Sequence, residues 1–269
     1  MKNKFFTVCF LFYANLGLAI ESLSFAVVPQ QSASKLTKLW TPIVNELSQK
    51  SGIEIHFVTA PDIPTFEKRL AAGEYDIAYM NPYHYIVFNQ TAGYQALAKA
   101  RDKKIKGILV VAKNSKINSL MDLENQTLAF PAPAAFAATI LTQADLKSEQ
   151  VNFSAEYVSS HDSVYRSVAK GIFPAGGGVV RTFNNVDPDI RSQLRILWTT
   201  AGYTPHAIAT HSRVTAADRD SLSKALIEMQ QQASGKELLG NINIQGFEHA
   251  EDADWNDIRD LKLKQLSEK

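Results

Sequence analysis

The segment covering residues 81–85 carries side chains well suited to binding a small molecule. Asn81 is a typical helix N-cap and Pro82 a typical first helical residue, so a helix is predicted to begin there. The apolar run before it, residues 75–80, is predicted to be a buried strand. Backbone donors at such a helix start lie beyond the carboxyl end of the strand, where open α/β sheets bind ligands. We therefore expect ligand contacts from Asn81, Tyr83 and Tyr85.

The same residues also fit structural roles, and the sequence leaves both interpretations open. Asn81 can serve as a helix cap alone. Tyr83 and Tyr85 cannot both face one direction on a helix that begins at Pro82, and either ring can pack in the core with its hydroxyl in water.

Polar residues follow three other predicted strands. Gln30 comes after the first strand, where it forms either the floor of a pocket or an ordinary polar loop. Arg181 ends a strand predicted over residues 177–180, and its fork of donors fits a ligand carboxylate or phosphonate. Thr199 and Tyr203 lie where the chain leaves a later strand. These four residues join the candidate ligand-binding set.

Motifs typical of catalysis and of metal binding are missing from the sequence. There is no Gly-x-Ser-x-Gly turn, no His-Glu-x-x-His helix and no cysteine cluster. His206 and His211 are five residues apart, which places them on opposite faces of a strand, so a metal pair is not expected. The glycine run at 176–178 lacks the Gly-Lys-Ser/Thr ending of a phosphate loop. We expect no enzyme activity, no metal and no cofactor.

The first residues predict secretion. Lys2 and Lys4 precede an apolar run over residues 5–18, which is typical of a signal peptide cleaved after Ala19; the alternative is a retained membrane anchor. Cys9, the one cysteine of the chain, lies inside this segment, so a mature protein without thiols is expected. Cleavage lowers the formal net charge from +1 to −1, and a near-neutral chain without a basic tract is not expected to bind nucleic acid.

Strand-like and helix-like runs alternate along the chain in two series, which predicts an α/β fold with two lobes. Each lobe is expected to contain a mostly parallel sheet flanked by helices, with two connecting strands as a hinge. The predicted first lobe comprises residues 20–111 plus 204–269, with a helical tail over 215–266, and the second comprises residues 112–203. A helix over 134–146 in the second lobe follows a strand at 126–130.

With this order of elements, the chain resembles the phosphonate-binding branch of periplasmic solute-binding proteins, which supply ABC importers. The resemblance covers essentially the whole mature chain and implies the type II periplasmic binding fold. The residues that carry it are Val27-Val28-Pro29, Trp40-Thr-Pro42 with Leu47, the Leu-Ala-Ala-Gly-Glu-Tyr-Asp-Ile-Ala run at 70–78, Pro82 and Tyr85 at the family's Gly-Pro-Leu-Ser-Tyr segment, Asp122-Leu-Glu-Asn125, and Ser160-His161 ahead of Gly171.

The resemblance implies roles for particular residues. His161 matches the family's ligand-contacting histidine, and Tyr85 matches its pocket tyrosine. The family usually holds an oxyanion on a Ser-Thr-Ser-Gly turn at a helix start, but the corresponding turn here, residues 130–139, has lost those hydroxyls. Backbone donors of Ala134, Ala135 and Phe136 remain to bind an anion.

The residues after Gly171 include no acidic side chain to bind a ligand amine. We therefore expect a monomeric periplasmic protein that captures a small polar or anionic ligand for an ABC transporter permease. The alternative is a ligand sensor that docks on a membrane receptor kinase.

Overall fold

Two β-sheets form the centres of two α/β lobes. The structure is a computed structural model that describes residues 22–263, so the predicted signal peptide lies outside the described residues. The strands of the first sheet are β1 (Leu23–Val27), β2 (Ile55–Val58), β3 (Ile77–Met80), β4 (Tyr94–Ala100), β10 (Ala207–His211) and β11 (Phe247–His249). Those of the second are β5 (Gly107–Ala112), β6 (Gln126–Phe130), β7 (Phe153–Tyr157), β8 (Ala175–Val179) and β9 (Leu194–Thr199).

Helices flank both sheets. The first lobe contains the α-helices Ala33–Ser51, Ile63–Ala71, Pro82–Ala92, Ala216–Met229, Ala233–Asn241 and Asn256–Arg259, and a short 3₁₀ helix at Asp252–Trp255. The second contains a 3₁₀ turn at Met121–Leu123, a π-helix at Phe136–Leu141 and the α-helices Thr142–Ser148, His161–Ala169, Val180–Asn184 and Pro188–Ser192.

Both sheets are mixed, whereas the sequence predicted mostly parallel sheets. The strand order is β11-β4-β10-β3-β1-β2 in the first and β7-β6-β8-β5-β9 in the second. β1 runs parallel to β2 and β3, and β6 runs parallel to β7 and β8. The other pairings are antiparallel: β10 runs against β3 and β4, β11 runs against β4, and β5 runs against β8 and β9.

The chain crosses between the lobes at two adjacent segments. Ile105 and Tyr203 exchange backbone hydrogen bonds of 2.8 and 3.0 Å, and this pair forms the hinge. The predicted boundary at residues 111 and 112 is therefore wrong, because β5 pairs with β8 and β9 in the second sheet. β5 is an apolar run with partners on both sides, and the exposed polar stretch before it contains the first crossing.

The sequence predicted a helical tail over residues 215–266, but the structure shows that the tail is not wholly helical. Its first helix begins at the predicted N-cap, Thr215, whose hydroxyl accepts the N–H of Asp218. Three residues, Phe247–His249, then form β11 and pair antiparallel with β4 at the edge of the first sheet. The tail therefore completes the first lobe with both helices and a strand.

The apolar core of the first lobe continues into the second. Trp40, Phe25 and Tyr79 are buried together on the first sheet. The same cluster includes Phe136 and its neighbours at the start of the π-helix, which belong to the second lobe. The two lobes thus lie in contact across the cleft.

Candidate functional site

The anion turn, residues 131–135, connects β6 to the π-helix at Phe136–Leu141. The N–H of Ala135 donates to the carbonyl oxygen of Ala132 at 3.2 Å, so this donor is already used. The N–H groups of Phe136, Ala137 and Ala138 have no acceptor among residues 22–263, as expected for the first turn of a helix. These unpartnered N–H groups overlap the predicted donors at Phe136, and the N–H of Ala134 likewise has no acceptor among residues 22–263.

Two glycines let the start of this helix lie directly on the second sheet. A Cβ atom on Gly107 would collide with the carbonyl oxygen of Ala137, and one on Gly177 would collide with that of Ala138. The hydroxyl of Thr139 donates to Ala132 O at 2.8 Å and closes the turn from inside. Because Gly107 and Gly177 have no side chains, the helix start can lie against the sheet, and this sets the position of its free N–H groups.

His161 begins the helix His161–Ala169, with the Ser160 hydroxyl as its N-cap. The imidazole is 1% exposed and lines the same small cavity as Phe136 and Ala138. Its Nδ1 lies 3.0 Å from the Thr182 hydroxyl, and its Nε2 has no partner among the described residues. Burial, together with the nearby charge of Arg181, lowers the pKa of His161 to about 3, so the ring is neutral at pH 7.

A buried chain of hydroxyls supports His161 from the sheet side. The N–H of Val179 donates to the Tyr165 hydroxyl at 3.2 Å, and this hydroxyl lies 2.7 Å from Thr182 Oγ1. Burial raises the pKa of Tyr165, so its hydroxyl keeps its proton. The Thr182 hydroxyl lies within hydrogen-bond distance of two acceptors, Val179 O at 3.1 Å and His161 Nδ1 at 3.0 Å. When its proton is donated to Nδ1, the imidazole proton lies on Nε2.

Gln30 and Asn81 form the first-lobe side of the cleft. The carbonyl oxygen of Gln30 accepts the His161 N–H at 3.0 Å, and its side-chain oxygen accepts a hydrogen bond from the Arg181 guanidinium. Asn81 is the predicted N-cap of Pro82–Ala92: its Oδ1 accepts the His84 N–H at 2.8 Å, and its Nδ2 donates to Ala134 O at 3.1 Å. Each of these contacts except the cap joins the two lobes.

Closure leaves little space between the lobes. The central cavity lined by Gln30, Asn81, Ala135, Phe136 and His161 has a volume of about 10 Å³, which is roughly the space of one water molecule. Arg181 lies beside it in the Val180–Asn184 helix, 5.9 Å from the ring centre of Tyr79. The site therefore combines neutral buried donors with one adjacent cation.

Several predicted contacts lie elsewhere. Tyr85 is wrong as a cleft residue, because its ring packs on Trp255 and its hydroxyl donates to Asp252 Oδ1 at 2.8 Å. Tyr83 is buried in the first-lobe core and does not line the central cavity. Ala134 accepts a hydrogen bond from the Asn81 side chain through its carbonyl oxygen.

Thr199 and Tyr203 also lie outside the cleft. Thr199 is exposed on β9 and pairs with Ile108 of β5. Tyr203 belongs to the hinge, and its ring meets that of Phe136 edge-on, with centroids 5.8 Å apart. A position at or just after the end of a predicted strand therefore does not by itself place a residue in the cleft.

Sequence reasoning missed Thr182 and Tyr165. Both act through buried hydroxyls, and neither lies in a recognisable motif. A signal was available for Thr182, because it directly follows Arg181 at the end of a predicted strand. Tyr165 lies one helical turn after His161, and this spacing places both on one face of the helix.

The described residues contain no group of three histidine, cysteine or acidic side chains that could hold a metal ion. Within the same part of the chain, no helix has the length and apolar character needed to cross a membrane.

The comparison with known families identifies the class of protein. Residues 25–255 match the model of the ABC transporter phosphonate, periplasmic substrate-binding protein family, so the chain belongs to this family. Proteins of this family are periplasmic substrate-binding components of ABC transporters, and the function of this chain is to bind a small anionic ligand for import. The family description names a component of a transporter, which favours import over the sensor alternative.

Individual relatives are distant in sequence. The chain is 24% identical to the phosphate-import protein PhnD of Mycolicibacterium smegmatis over 58% of its own length and 54% of that protein, so it spans about half of that relative. It is 21% identical to the phosphonates-binding periplasmic protein of Escherichia coli, over 90% and 76% of the two chains.

A solved structure supports the predicted fold. The structure of PhnD1 from Prochlorococcus marinus in complex with methylphosphonate matches with a TM-score of 0.84 and 20% identity, and the match covers 92% of this chain and 99% of that one. The predicted two-lobe type II periplasmic binding fold is thereby confirmed.

Proposed function

We propose that this protein captures a phosphonate or a related tetrahedral oxyanion, such as phosphite or phosphate, at the anion turn. One observation carries the proposal. The unpartnered Nε2 of His161 and the free N–H groups at 136–138 line the same buried cavity, so they converge on one small acceptor. A buried donor without a partner is unfavourable, and an oxyanion supplies several acceptor atoms at once.

The backbone takes the role of the missing hydroxyls. Three N–H groups at the positive end of a helix stabilise a negative charge without any side chain. The neutral imidazole adds a directional donor through Nε2, held in this tautomer by Thr182 and Tyr165. Arg181 supplies the nearby positive charge, and it does so while it is bonded to Gln30.

The ligand enters an open form of the cleft. A cavity of about 10 Å³ is too small for a tetrahedral oxyanion, so the lobes rotate apart at the Ile105 and Tyr203 pair before binding and close around the ligand less completely than in this structure. Contacts between the lobes at Gln30 and Asn81 hold the fully closed form seen here.

The protein acts in the periplasm as a monomer after cleavage of the signal peptide near Ala19. It performs no reaction on the ligand and delivers it to the permease of an ABC transporter. The neutral His161 imidazole and the main-chain N–H groups of the cleft suit the binding of an anion.

Titration calorimetry and thermal shift with methylphosphonate, phosphite, phosphate and sulfate test the proposal. A ligand at 100 times its dissociation constant adds about 2.7 kcal/mol to the free energy of unfolding. We expect binding of at least one phosphorus oxyanion, lost in His161→Gln. The matched control is His56→Gln, which changes an exposed histidine of the first lobe. Binding of no phosphorus oxyanion, or unchanged binding in His161→Gln, contradicts the proposal.

A further inference from the structure

A second cavity, which is lined by Arg181, adjoins the central cleft. Its volume is 140 Å³, against about 10 Å³ for the central cavity. Both cavities are lined by Ile105 and Val179, so they are neighbours. We call this space the Arg181 cavity, and its polar lining consists of Tyr79, Lys103, Lys104, Lys106, Arg181 and His206, with Asn184 and Asn243.

The charge of this cavity has one sign. Four of its lining residues are cations, and no described residue that lines it is acidic. Lys104 pairs with Asp257 at 3.7 Å, whereas Lys103 and Lys106 have no carboxylate partner within residues 22–263. A concave surface with several unpaired positive charges concentrates anions.

His206 adds a buried polar atom without a partner. The residue is 4% exposed, and its ring stacks on Tyr79 with centroids 4.8 Å apart and planes 16° apart. Its Nε2 has no hydrogen-bond partner among the described residues. As at His161 Nε2, a buried polar atom is left for a ligand to satisfy.

Arg181 joins the two cavities. One amino group of its guanidinium donates to Gln30, which lines the central cavity, and the side chain itself lines the second cavity. A guanidinium carries five N–H groups in a planar fork, and no other hydrogen bond of Arg181 is formed within the described residues. The remaining donors are available to a carboxylate, which fits this fork with two parallel hydrogen bonds.

We propose that the Arg181 cavity is a second anion subsite, which binds a carboxylate of a ligand whose phosphonate group occupies the anion turn. The ligand class is then a short phosphonocarboxylate. This inference rests on the proposed function, because that function places the phosphonate at the anion turn. The apolar lining from Ile105, Val179, Val180, Pro205 and Ile244 contacts the short carbon chain between the two acidic groups.

Titration calorimetry on the mature full-length chain tests the subsite. The probes are 3-phosphonopropionate, phosphonoacetate, propylphosphonate, 2-aminoethylphosphonate and succinate. We expect one of the phosphonocarboxylates to bind about tenfold or more tightly than propylphosphonate, and 2-aminoethylphosphonate to bind more weakly, because its ammonium group meets Arg181.

Variants separate the subsite from general effects. Arg181→Gln is expected to remove the preference for the carboxylate, so that the phosphonocarboxylates lose more affinity than propylphosphonate, which loses only the nearby positive charge. Lys106→Gln is expected to reduce the preference in part. Lys147→Gln, an exposed lysine of the second lobe, makes the same change in net charge as the control. The melting temperature of each ligand-free variant shows whether it is folded.

The outcomes distinguish the two proposals. Equal affinity for propylphosphonate and the phosphonocarboxylates, or a preference that survives in Arg181→Gln, overturns the second subsite while the proposed function stands. If no phosphonate binds but succinate does, in a manner that requires Arg181, the proposed function fails and the subsite stands. Binding of no probe overturns both.

Discussion

The side-chain amide of Asn81 in the first lobe donates to the backbone carbonyl oxygen of Ala134 in the second, with an N···O distance of 3.1 Å. The same side chain caps its own helix through the His84 N–H. One residue therefore stabilises a helix start and the closed form of the cleft together.

These two roles of Asn81 can be measured separately. Asn81→Ala is expected to lower the free energy of unfolding by about 1 kcal/mol through the lost cap, and to increase the radius of gyration of the ligand-free protein, measured by small-angle X-ray scattering. Asn81→Ser keeps a capping oxygen but is too short to reach Ala134, so it should recover stability without recovering compactness.

The matched control for Asn81 is Asp62→Ala. Asp62 caps the Ile63–Ala71 helix of the same lobe, where its Oδ1 accepts the Thr65 N–H at 2.7 Å. Both partners of this bond lie in the first lobe. A similar loss of stability without expansion is expected. Equal expansion in both variants would show that the Asn81 contact does not hold the lobes closed.

The hydroxyl of Thr182 is expected to control ligand affinity without touching the ligand. Thr182→Val leaves His161 Nδ1 without its partner, which costs about 1–3 kcal/mol for a buried group, whereas the Tyr165 hydroxyl keeps its hydrogen bonds to Val179. We expect weaker oxyanion binding by calorimetry, and recovery in Thr182→Ser. If Thr182→Val binds as tightly as the wild type, the hydroxyl chain does not set the imidazole tautomer.

Stability is expected to fall as the pH is lowered from about 6.5 towards 3. His161 has a pKa of about 3 in the folded protein, while the unfolded chain binds its proton near pH 6.5, so protons favour the unfolded state in this window. Burial also lowers the pKa of His206, which acts in the same direction. Urea unfolding at pH 7 and pH 5 measures the difference.

Variants assign this pH dependence to the two buried histidines. The loss of stability between pH 7 and pH 5 should be smaller in His161→Gln and in His206→Gln than in the wild type. The carboxylate of Asp76, whose pKa is lowered by Ser24 and Arg213, contributes only below about pH 4. The same pH dependence in all three proteins would show that other groups are responsible.

Tyr85→Phe tests the correction at this residue. It removes the hydrogen bond to Asp252, so a loss of about 0.5–1.5 kcal/mol in the free energy of unfolding is expected, with no change in oxyanion affinity. Calorimetry and urea unfolding on the same sample give both quantities. A large loss of oxyanion affinity with an unchanged free energy of unfolding would show that Tyr85 contacts the ligand.

Local features of the site could be predicted from the sequence. The helix start at Asn81 and Pro82 depends only on adjacent residues, and the N-cap forms as predicted. His161 lies at a helix start for the same reason, with Ser160 as its cap. Local hydrogen-bonding preferences are strong enough to place these positions.

Features that depend on distant parts of the chain could not be predicted in this way. Tyr85 turns away from the cleft because its ring packs on Trp255 and its hydroxyl donates a hydrogen bond to Asp252. Both partners lie about 170 residues later in the chain. The three residues of β11 are too short to show a strand pattern. The position of the crossing at Ile105 follows from the pairing of β5 with β8 and β9 in the second sheet, and this pairing cannot be read from the local sequence.

The bare backbone of Gly107 and Gly177, which seats the π-helix on its sheet, has a consequence for the evolution and redesign of this protein. Oxyanion donors made of main-chain N–H groups cannot be exchanged by substitution, because every residue except proline offers the same group. A side chain at Gly107 or Gly177 would collide with the start of the π-helix and displace its N–H groups together. If the proposed anion site is correct, new ligand preferences arise at the facing residues Gln30, His161 and Arg181, while the position of the main-chain donors stays fixed.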